Sequence, residues 1–221
     1  MTGRLTLYHT PGTCSRVVLN ALEELGLDYV DRPIDIFKGE QQGAAYLAID
    51  AKGKVPALMV GDTLLTEAPA ILSWLDGQHD NRLLPGATAL ARAAALGDLV
   101  WCSNSLHPLV RMVRMPHRVS ASDPASVRES AAAQLAPLLA GMDARLASAS
   151  WWFGETWSIV DVYLAWIVGM WGGAGMPLSD YPALAAHADR VATRESYRRA
   201  FVREELALTR SGIELPGGAR L

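Results

Sequence analysis

A cysteine near the amino terminus is the first candidate for chemistry in this sequence. Cys14 follows Pro11-Gly12-Thr13 and begins a segment whose apolar residues recur at helical spacing, which predicts a thiol at the start of a helix. The positive end of the helix dipole and the free backbone N–H groups at such a position lower the pKa of a thiol and favour its thiolate. From the residues alone, a buried and inert cysteine is an equally good interpretation.

Several other positions combine a possible role in chemistry with an ordinary structural explanation. Glu67 begins a predicted helix, Lys38 lies in a predicted loop, and His107 interrupts a helical pattern. An acid at a helix start usually interacts only with the helix dipole, and a lone histidine is more often a packed group than a catalyst. Lys54-Val55-Pro56 opens a predicted hairpin, where proline normally marks the start or the edge of a strand. Cys102 lies among apolar residues of a predicted helix, which indicates a structural role.

Composition excludes several classes of function. Of the 221 residues, 50% are hydrophobic and 19% are charged, and the net charge of −3 cannot create the basic field that nucleic acid requires. Two cysteines cannot build a disulfide framework, and neither a signal peptide nor an apolar run long enough to span a membrane is predicted. The histidines and cysteines lack the spacing of metal ligands. These features predict a soluble protein of the cytoplasm that holds no metal.

The first region of the chain, up to about residue 80, alternates short strands with helices. Its predicted elements, in chain order, are a strand at residues 5–8, a helix from Cys14 to a stop at Gly26, a strand from Tyr29 to near Pro33, a short helix around 41–47, a hairpin of 55–60 and 63–65, and a helix from Glu67 to Leu75. This order predicts a mixed sheet covered by helices, that is, an α/β domain over residues 1–80.

The second region is predicted to be entirely helical. Residues 81–87 form a predicted linker, and residues 88–221 form a predicted all-α domain. Within it, Pro137 interrupts a good apolar stripe and is expected either to kink that helix or to shift its start by a turn. Ser158 and Asp161 have the spacing of a capping box before an apolar helix. The fold class is therefore α/β followed by all-α.

Taken together and in this order, the motifs resemble those of the glutathione S-transferase superfamily, and most closely its cysteine-containing bacterial beta class. The shared motifs are Tyr-x-Thr-Pro-Gly-x-Cys-Ser, the Val-Pro strand start, the Leu-Leu-Thr-Glu-Ala helix start and the helical second half. The resemblance is strong from Leu5 to about Leu84 and weaker toward His107 and over residues 158–163. It implies a thioredoxin-like first domain with a four-stranded mixed sheet, a helical-bundle second domain, glutathione as co-substrate and a homodimer.

The resemblance also implies a role for each candidate residue. Cys14 matches the cysteine beside the glutathione sulfur, and His107 matches a histidine that reaches the site from the second domain. The candidates for the hydroxyl that activates the thiol in other classes are Thr10 and Ser15. The predicted glutathione-binding residues are Lys38, Lys54, Val55, Pro56 (with a cis peptide bond), Glu67 and Ala68. The residues expected to form the wall of the electrophile site are Trp101, Met112, Met115 and Trp171.

Four positions depart from the beta-class pattern: His9 stands in place of a tyrosine, Val100 in place of an asparagine, Ala68 where serine or glycine is usual, and Pro108 is unexpected. The resemblance implies a detoxifying glutathione transferase that conjugates the thiolate of glutathione to a small apolar electrophile. Two other functions stay open. One is a glutathione-dependent thiol-disulfide reductase or peroxidase that uses Cys14 covalently, and the other is a non-catalytic binding protein with the same fold.

Overall fold

The computed structural model describes residues 3–216 and divides the chain into two compact units. The first contains the residues up to Leu83 together with those from Arg194 onward, and the second contains Leu84–Thr193. The division near residue 83 falls within the linker expected at residues 81–87. The sequence, however, assigns everything from residue 88 onward to one helical domain, whereas the structure groups the last helix with the first unit.

A four-stranded mixed sheet with strand order β2-β1-β3-β4 forms the centre of the first unit. Its strands are β1 (Leu5–His9), β2 (Tyr29–Pro33), β3 (Ala57–Val60) and β4 (Thr63–Thr66). Strands β1 and β2 are parallel, while β3 runs antiparallel to both β1 and β4. The predicted mixed sheet and its β3–β4 hairpin are confirmed, and Gly61 supplies the left-handed φ of 56° at the hairpin turn.

Three helices precede or follow these strands in the first unit: α1 (Ser15–Leu25), α2 (Ala44–Leu47) and α3 (Ala68–Gln78). Helix α1 ends at Gly26 as predicted, because a φ of 66° there suits glycine far better than a residue with a side chain. Leu7, Leu22, Leu58 and Leu72 are fully buried, so β1, α1, β3 and α3 each contribute to one apolar core. This confirms the predicted order of strands and helices.

Helix α9 (Glu195–Ser211) joins the first unit through a charged seam with α1. Arg199 and Arg203 of α9 donate to the carboxylate of Glu23 over 3.1 and 3.2 Å. Arg16 of α1 donates to the fully buried carboxylate of Glu204 over 2.6 Å. Hydrophobic periodicity predicts that this segment is helical, but charged contacts leave no periodic signal of which domain it packs against.

The second unit contains the helices α4 (Ala89–Trp101), α5 (His107–Arg114), α6 (Pro124–Leu146), α7 (Ile159–Gly173) and α8 (Pro182–Thr193). A π-helical segment, Cys102–Leu106, joins α4 to α5. Helix α6 continues through Pro137, and the predicted capping box of Ser158 and Asp161 is present at the start of α7. Within the described residues, no helix is both long and apolar enough to cross a membrane.

Candidate functional site

One end of the sheet in the first unit gathers most of the candidate site residues. Strands β1 and β2 are parallel and end in register, so the segments that follow them leave the sheet side by side. Tyr8 pairs with Ala57, and Ala57 pairs with Thr66, so the residues before β3 and after β4 lie at the same end. The segments brought together in this way are the loop 10–14, residues 34–38, Val55-Pro56 and Glu67-Ala68.

Cys14 occupies the N-cap position of α1, and its side chain is half-buried. Its carbonyl accepts the N–H of Val17 over 3.1 Å, which begins the helix. The thiol is therefore at the amino-terminal end of α1, where the sequence predicts it. The other cysteine, Cys102, is fully buried, and burial raises its pKa, which agrees with the structural role predicted for it.

The two hydroxyl candidates, Thr10 and Ser15, are both fully buried. Thr10 Oγ1 donates to the carbonyl oxygen of Ile34 over 2.5 Å, so its only proton is already used to join the ends of β1 and β2. A hydroxyl stabilises a thiolate by donating a hydrogen bond to it. The structure therefore argues against the expected activating role of Thr10. Ser15 Oγ lies 3.0 Å from Thr13 Oγ1, within the same loop.

The Val55-Pro56 peptide bond is cis, as the resemblance implies. Pro56 is buried and Val55 is half-buried, and the strand pairing of β3 begins only at Ala57. The main chain of Val55 therefore lies just beyond the paired part of the sheet, where an extended peptide can add to it.

The turn before this dipeptide is held in place by two buried side chains. The carboxylate of Asp50 accepts the backbone N–H groups of Lys52 and Lys54 over 3.0 and 3.2 Å. The Tyr46 hydroxyl donates to the Lys54 carbonyl oxygen over 2.7 Å. Because the main-chain groups of Lys54 are used inside the protein, only its exposed side chain remains available to a ligand.

Glu67 has an unusual backbone conformation directly before α3. Its φ of 68° and ψ of 118° are rare for a residue with a side chain, and such outliers cluster at binding sites. The exposed Glu67 carboxylate lies 3.3 Å from Lys52 Nζ, which also donates to Thr66 Oγ1 over 2.8 Å. Ala68 is buried at the first position of α3, so its backbone N–H belongs to the free donors of that helix start.

Lys52 is a further candidate site residue that the sequence analysis missed. A lysine in a turn normally extends into solvent, and its pairing with Glu67 depends on the register of the hairpin between them. Lys38, which the sequence did select, has a side chain that is 71% exposed, with Nζ 3.6 Å from Asp35 Oδ2. The same Asp35 carboxylate accepts the Lys38 N–H over 3.0 Å and fixes the loop that carries the lysine.

In the second unit, His107 is the first residue of α5. Its Nδ1 lies 3.2 Å from the Tyr163 hydroxyl, and its ring packs edge-on against Trp166 with centroids 4.6 Å apart. Burial, assisted by the positive charge of Arg111, lowers the pKa of His107 to about 4. The imidazole is therefore neutral at pH 7. It can donate one hydrogen bond and accept another, but it supplies no positive charge.

Two of the four residues expected to form the electrophile wall, Trp101 and Trp171, lie near opposite ends of α7. Trp101 stacks on Trp152, whose backbone N–H donates to Asp161 in the first turn of α7. Trp171 stands near the other end of that helix, about 15 Å farther along its axis, and is only 3% exposed. It packs as a core residue, with its indole N–H donating to the Pro177 carbonyl oxygen over 3.1 Å. The electrophile wall itself stays a prediction.

Met112 lies on α5 and Met115 lies directly after its carboxyl end, and both are half-buried.

His9 and Val100, two of the positions that depart from the beta-class pattern, have different surroundings. His9 is fully buried, with Nε2 3.5 Å from Asp31 Oδ2, and it acts as a core partner of that acid. Val100 is exposed on α4.

Comparison with known proteins identifies the family of this arrangement. Family models described as the N-terminal and C-terminal domains of glutathione S-transferase match residues 7–83 and 125–190. Glutathione S-transferase GstA from Escherichia coli O157:H7 is 29% identical over 91% of this chain and 100% of its own length. The disulfide-bond oxidoreductase YfcG from Escherichia coli K12 is 28% identical over 94% of this chain and 99% of its own length.

Solved structures give the same result. A sphingomonad glutathione S-transferase complexed with glutathione is 30% identical, with a TM-score of 0.80 over 91% of this chain and 99% of that one. A bacterial beta-class glutathione S-transferase from Sphingomonas chungbukensis is 29% identical, with the same TM-score and coverage. Both family domains match in their proper order and the relatives align over nearly their whole length, so the chain belongs to the glutathione S-transferase superfamily, with a thioredoxin-like first unit.

Proposed function

We propose that this protein is a glutathione transferase that conjugates the thiolate of glutathione to a small apolar electrophile. The observation that carries the proposal is the convergence, at one end of the sheet, of an unpaired strand edge, a helix start bearing Cys14, and the start of α3. Glutathione presents a peptide backbone, a central thiol and an amino-acid end, and each of these matches one of the three features. The glutathione-bound structure of the sphingomonad relative supports this ligand.

Each part of the tripeptide has a chemically suitable partner in the first unit. The main chain of Val55 would pair with the cysteinyl residue as an added strand. The Glu67 carboxylate would hold the γ-glutamyl ammonium, while the Ala68 N–H at the start of α3 would bind the adjacent carboxylate. Lys38 would face the glycine carboxylate. Alanine at position 68 adds no hydroxyl contact, so recognition there depends on the backbone donor alone.

The chemistry requires a glutathione thiolate at neutral pH. A free thiol titrates near 8.5, and a pKa lower by one or two units, about 1.4 kcal/mol each, makes the thiolate dominant at pH 7. Backbone donors at the start of α1, where Cys14 lies, can supply this stabilisation. The sulfur then attacks the electrophilic carbon, a C–S bond forms, the leaving group departs with its electron pair, and the thiol proton passes to water.

A cysteine at the helix start favours a second candidate function, glutathione-dependent disulfide reduction. The Cys14 thiolate would attack a glutathione mixed disulfide, release the substrate thiol and become disulfide-bonded to glutathione. A second glutathione thiolate would then release Cys14 and leave as glutathione disulfide. The relative YfcG is described as a disulfide-bond oxidoreductase, which supports this alternative.

Calorimetric titration of glutathione into the reduced wild type and Cys14→Ser tests the proposal. We expect micromolar to low-millimolar binding by both, and weaker binding by Glu67→Gln; Asp62→Asn, an exposed acid of the hairpin turn, is the matched control and should bind like the wild type. Absence of binding heat from the wild type would contradict the proposal. Loss of disulfide reduction in Cys14→Ser, with conjugation retained, would assign both reactions to one site.

We also propose a homodimer in the cytoplasm with a role in detoxification. Light scattering should then report about twice the 23.8 kDa of one chain. A mass of one chain at working concentration would contradict the dimer while leaving the proposed reaction untouched.

A further inference from the structure

A lysine in the turn before Val55 lies beside the start of α3. Lys52 Nζ donates to Thr66 Oγ1 over 2.8 Å and to Glu67 Oε1 over 3.3 Å. The side chains of Lys52 and Glu67 are 53% and 58% exposed, so a ligand in solution can reach both charges. An ammonium group has three N–H donors, and the contacts of Lys52 with residues 3–216 use two of them.

The turn fixes the main chain from which the Lys52 side chain extends. The buried Asp50 carboxylate accepts the Lys52 N–H over 3.0 Å. The next residue, Gly53, has a left-handed φ of 59°, and a side chain there would come within 2.8 Å of the Gln41 carbonyl oxygen. Gln42 Nε2 donates to the Gly53 carbonyl oxygen over 3.0 Å. The turn therefore holds the base of the side chain, while the two contacts of Nζ hold its end.

Stability alone does not explain why Lys52 and Glu67 are paired. Both side chains reach solvent, and ion pairs exposed in this way add little to the stability of a protein. The left-handed backbone of Glu67 costs more free energy than such a pair contributes. The first unit would therefore be more stable with another residue at position 67, which indicates that the two charges serve a ligand.

The amino-acid end of a γ-glutamyl group carries an ammonium and a carboxylate on the same carbon atom. The Glu67 carboxylate suits the ammonium, and the Ala68 N–H at the start of α3 suits the carboxylate, but Ala68 has no hydroxyl to act as a second donor. The remaining N–H of Lys52 can provide that donor together with a full positive charge. The charges would then alternate in sign from Lys52 to Glu67, to the ligand ammonium and to the ligand carboxylate.

We propose that Lys52 binds the α-carboxylate of the γ-glutamyl residue, so that Lys52 and Glu67 together select a zwitterionic amino-acid end. The inference rests on the proposed function, in which glutathione binds at this end of the sheet. It makes Lys52 a specificity-determining residue and narrows the accepted thiols to those whose amino-acid end carries both charges.

Two analogues of glutathione that each lack one charge test this assignment. The peptide γ-aminobutyryl-cysteinylglycine lacks the α-carboxylate, and glutaryl-cysteinylglycine lacks the α-amino group. In calorimetry, Lys52→Met should bind glutathione and the glutaryl peptide about three- to tenfold more weakly than the wild type does, the loss expected for a charge that water partly screens. Its affinity for the aminobutyryl peptide should not fall. Glu67→Gln should show the opposite pattern, and Lys52→Arg should retain part of the lost affinity.

The matched control is Arg4→Met, which also removes one exposed positive charge from the first unit. The Gly61 N–H donates to the Arg4 carbonyl oxygen, so Arg4 lies beside the hairpin turn, at the opposite end of the sheet, and its replacement should change no affinity.

Equal losses for all three peptides in Lys52→Met would mean that Lys52 only holds Glu67 in place. No loss for glutathione would mean that the carboxylate does not bind Lys52. Either result would overturn the inference while leaving the proposed function intact. If the wild type binds no glutathione, the proposed function fails first and this inference fails with it.

Discussion

Replacing Glu204 should disturb the loop that carries Cys14 without touching the thiol. The Glu204 side chain lies fully buried on α9, and both of its oxygens are used. Oε1 accepts the backbone N–H of Gly12 over 2.9 Å, and Oε2 accepts Nε–H of Arg16 over 2.6 Å. Gly12 has a left-handed φ of 77° just before the N-cap of α1, so the carboxylate holds the loop in a conformation that few other residues could adopt.

The structure sets the size of the expected effect. Glu204→Ala leaves the Arg16 guanidinium buried without a counter-charge, and breaking a buried ion pair in this way costs about 3–5 kcal/mol. Arg16 keeps a 3.3 Å hydrogen bond to the Tyr197 hydroxyl and a position over the Phe201 ring, 5.4 Å from its centroid, so we expect the lower end of that range. Glu204→Gln keeps an acceptor for Gly12 but loses the charge, at a cost of about 1.5–3 kcal/mol.

Urea unfolding at pH 7 measures these free energies, and calorimetry measures the affinity for glutathione. Arg199→Ala is the matched control, because Arg199 also joins α9 to Glu23 of α1 but does not contact the loop. We expect both variants to be less stable and only Glu204→Ala to bind glutathione several-fold more weakly. Equal affinities for the two variants would refute the positioning role and reduce Glu204 to an anchor of α9.

A double-mutant cycle separates the ion pair from the loop contact. Arg16→Met removes the guanidinium with little change in volume, and its effect combined with Glu204→Gln should be smaller than the sum of the single effects by at least about 1 kcal/mol. Additive effects would mean that the two charges contribute independently, which contradicts the 2.6 Å contact between them.

Three further predictions concern single side chains. The hydrogen bond from His9 and the charge of Arg210 lower the pKa of Asp31 to about 2. The stability that the ionised Asp31 adds is therefore present above pH 4 and is lost as the pH falls toward 2. In urea unfolding, the free energies of unfolding of wild type and Asp31→Asn should differ by about 2 kcal/mol at pH 7 and converge near pH 2. NMR titration should give His107 a pKa of about 4, and Arg111→Gln should raise that pKa because it removes a positive charge. The contribution of the neutral His107 to stability is then complete above pH 6.5 and declines as the pH falls below 6.5. Thr10→Val should cost about 0.5–1.5 kcal/mol, because the Ile34 carbonyl oxygen loses one of its two donors and keeps the N–H of Ile36 at 3.1 Å. The rate of conjugation should stay unchanged; a large loss of rate would restore the activating role for Thr10.

The sheet, and with it the grouping of the candidate glutathione-binding residues at one of its ends, were predictable because their signals are local. Gly26, the Gly61-Asp62 turn and the Val-Pro dipeptide each constrain a few neighbouring residues, and strand pairing then brings the ends of four segments to one edge. The pairing of Lys52 with Glu67 was not predictable in this way, because it depends on the hairpin register rather than on either residue's neighbours.

The electrophile wall was hard to predict because apolar residues look alike in a sequence whether they line a site or fill a core. Trp171 shows this ambiguity, since it is almost fully buried and its indole N–H bonds to a carbonyl of its own unit.

The backbone of Glu67 connects the fold to the proposed function. A side-chain-bearing residue at φ 68° costs about 1–3 kcal/mol relative to an ordinary conformation, and a glycine there would avoid that cost. The strained conformation nevertheless lies where β4 passes into α3, so the backbone turns the first N–H groups of α3 and an acidic side chain to the same edge of the sheet. Glycine would keep those N–H groups but lose the carboxylate. Only a residue that combines this backbone with an acid can present a donor and an acceptor together, which is what the amino-acid end of glutathione requires.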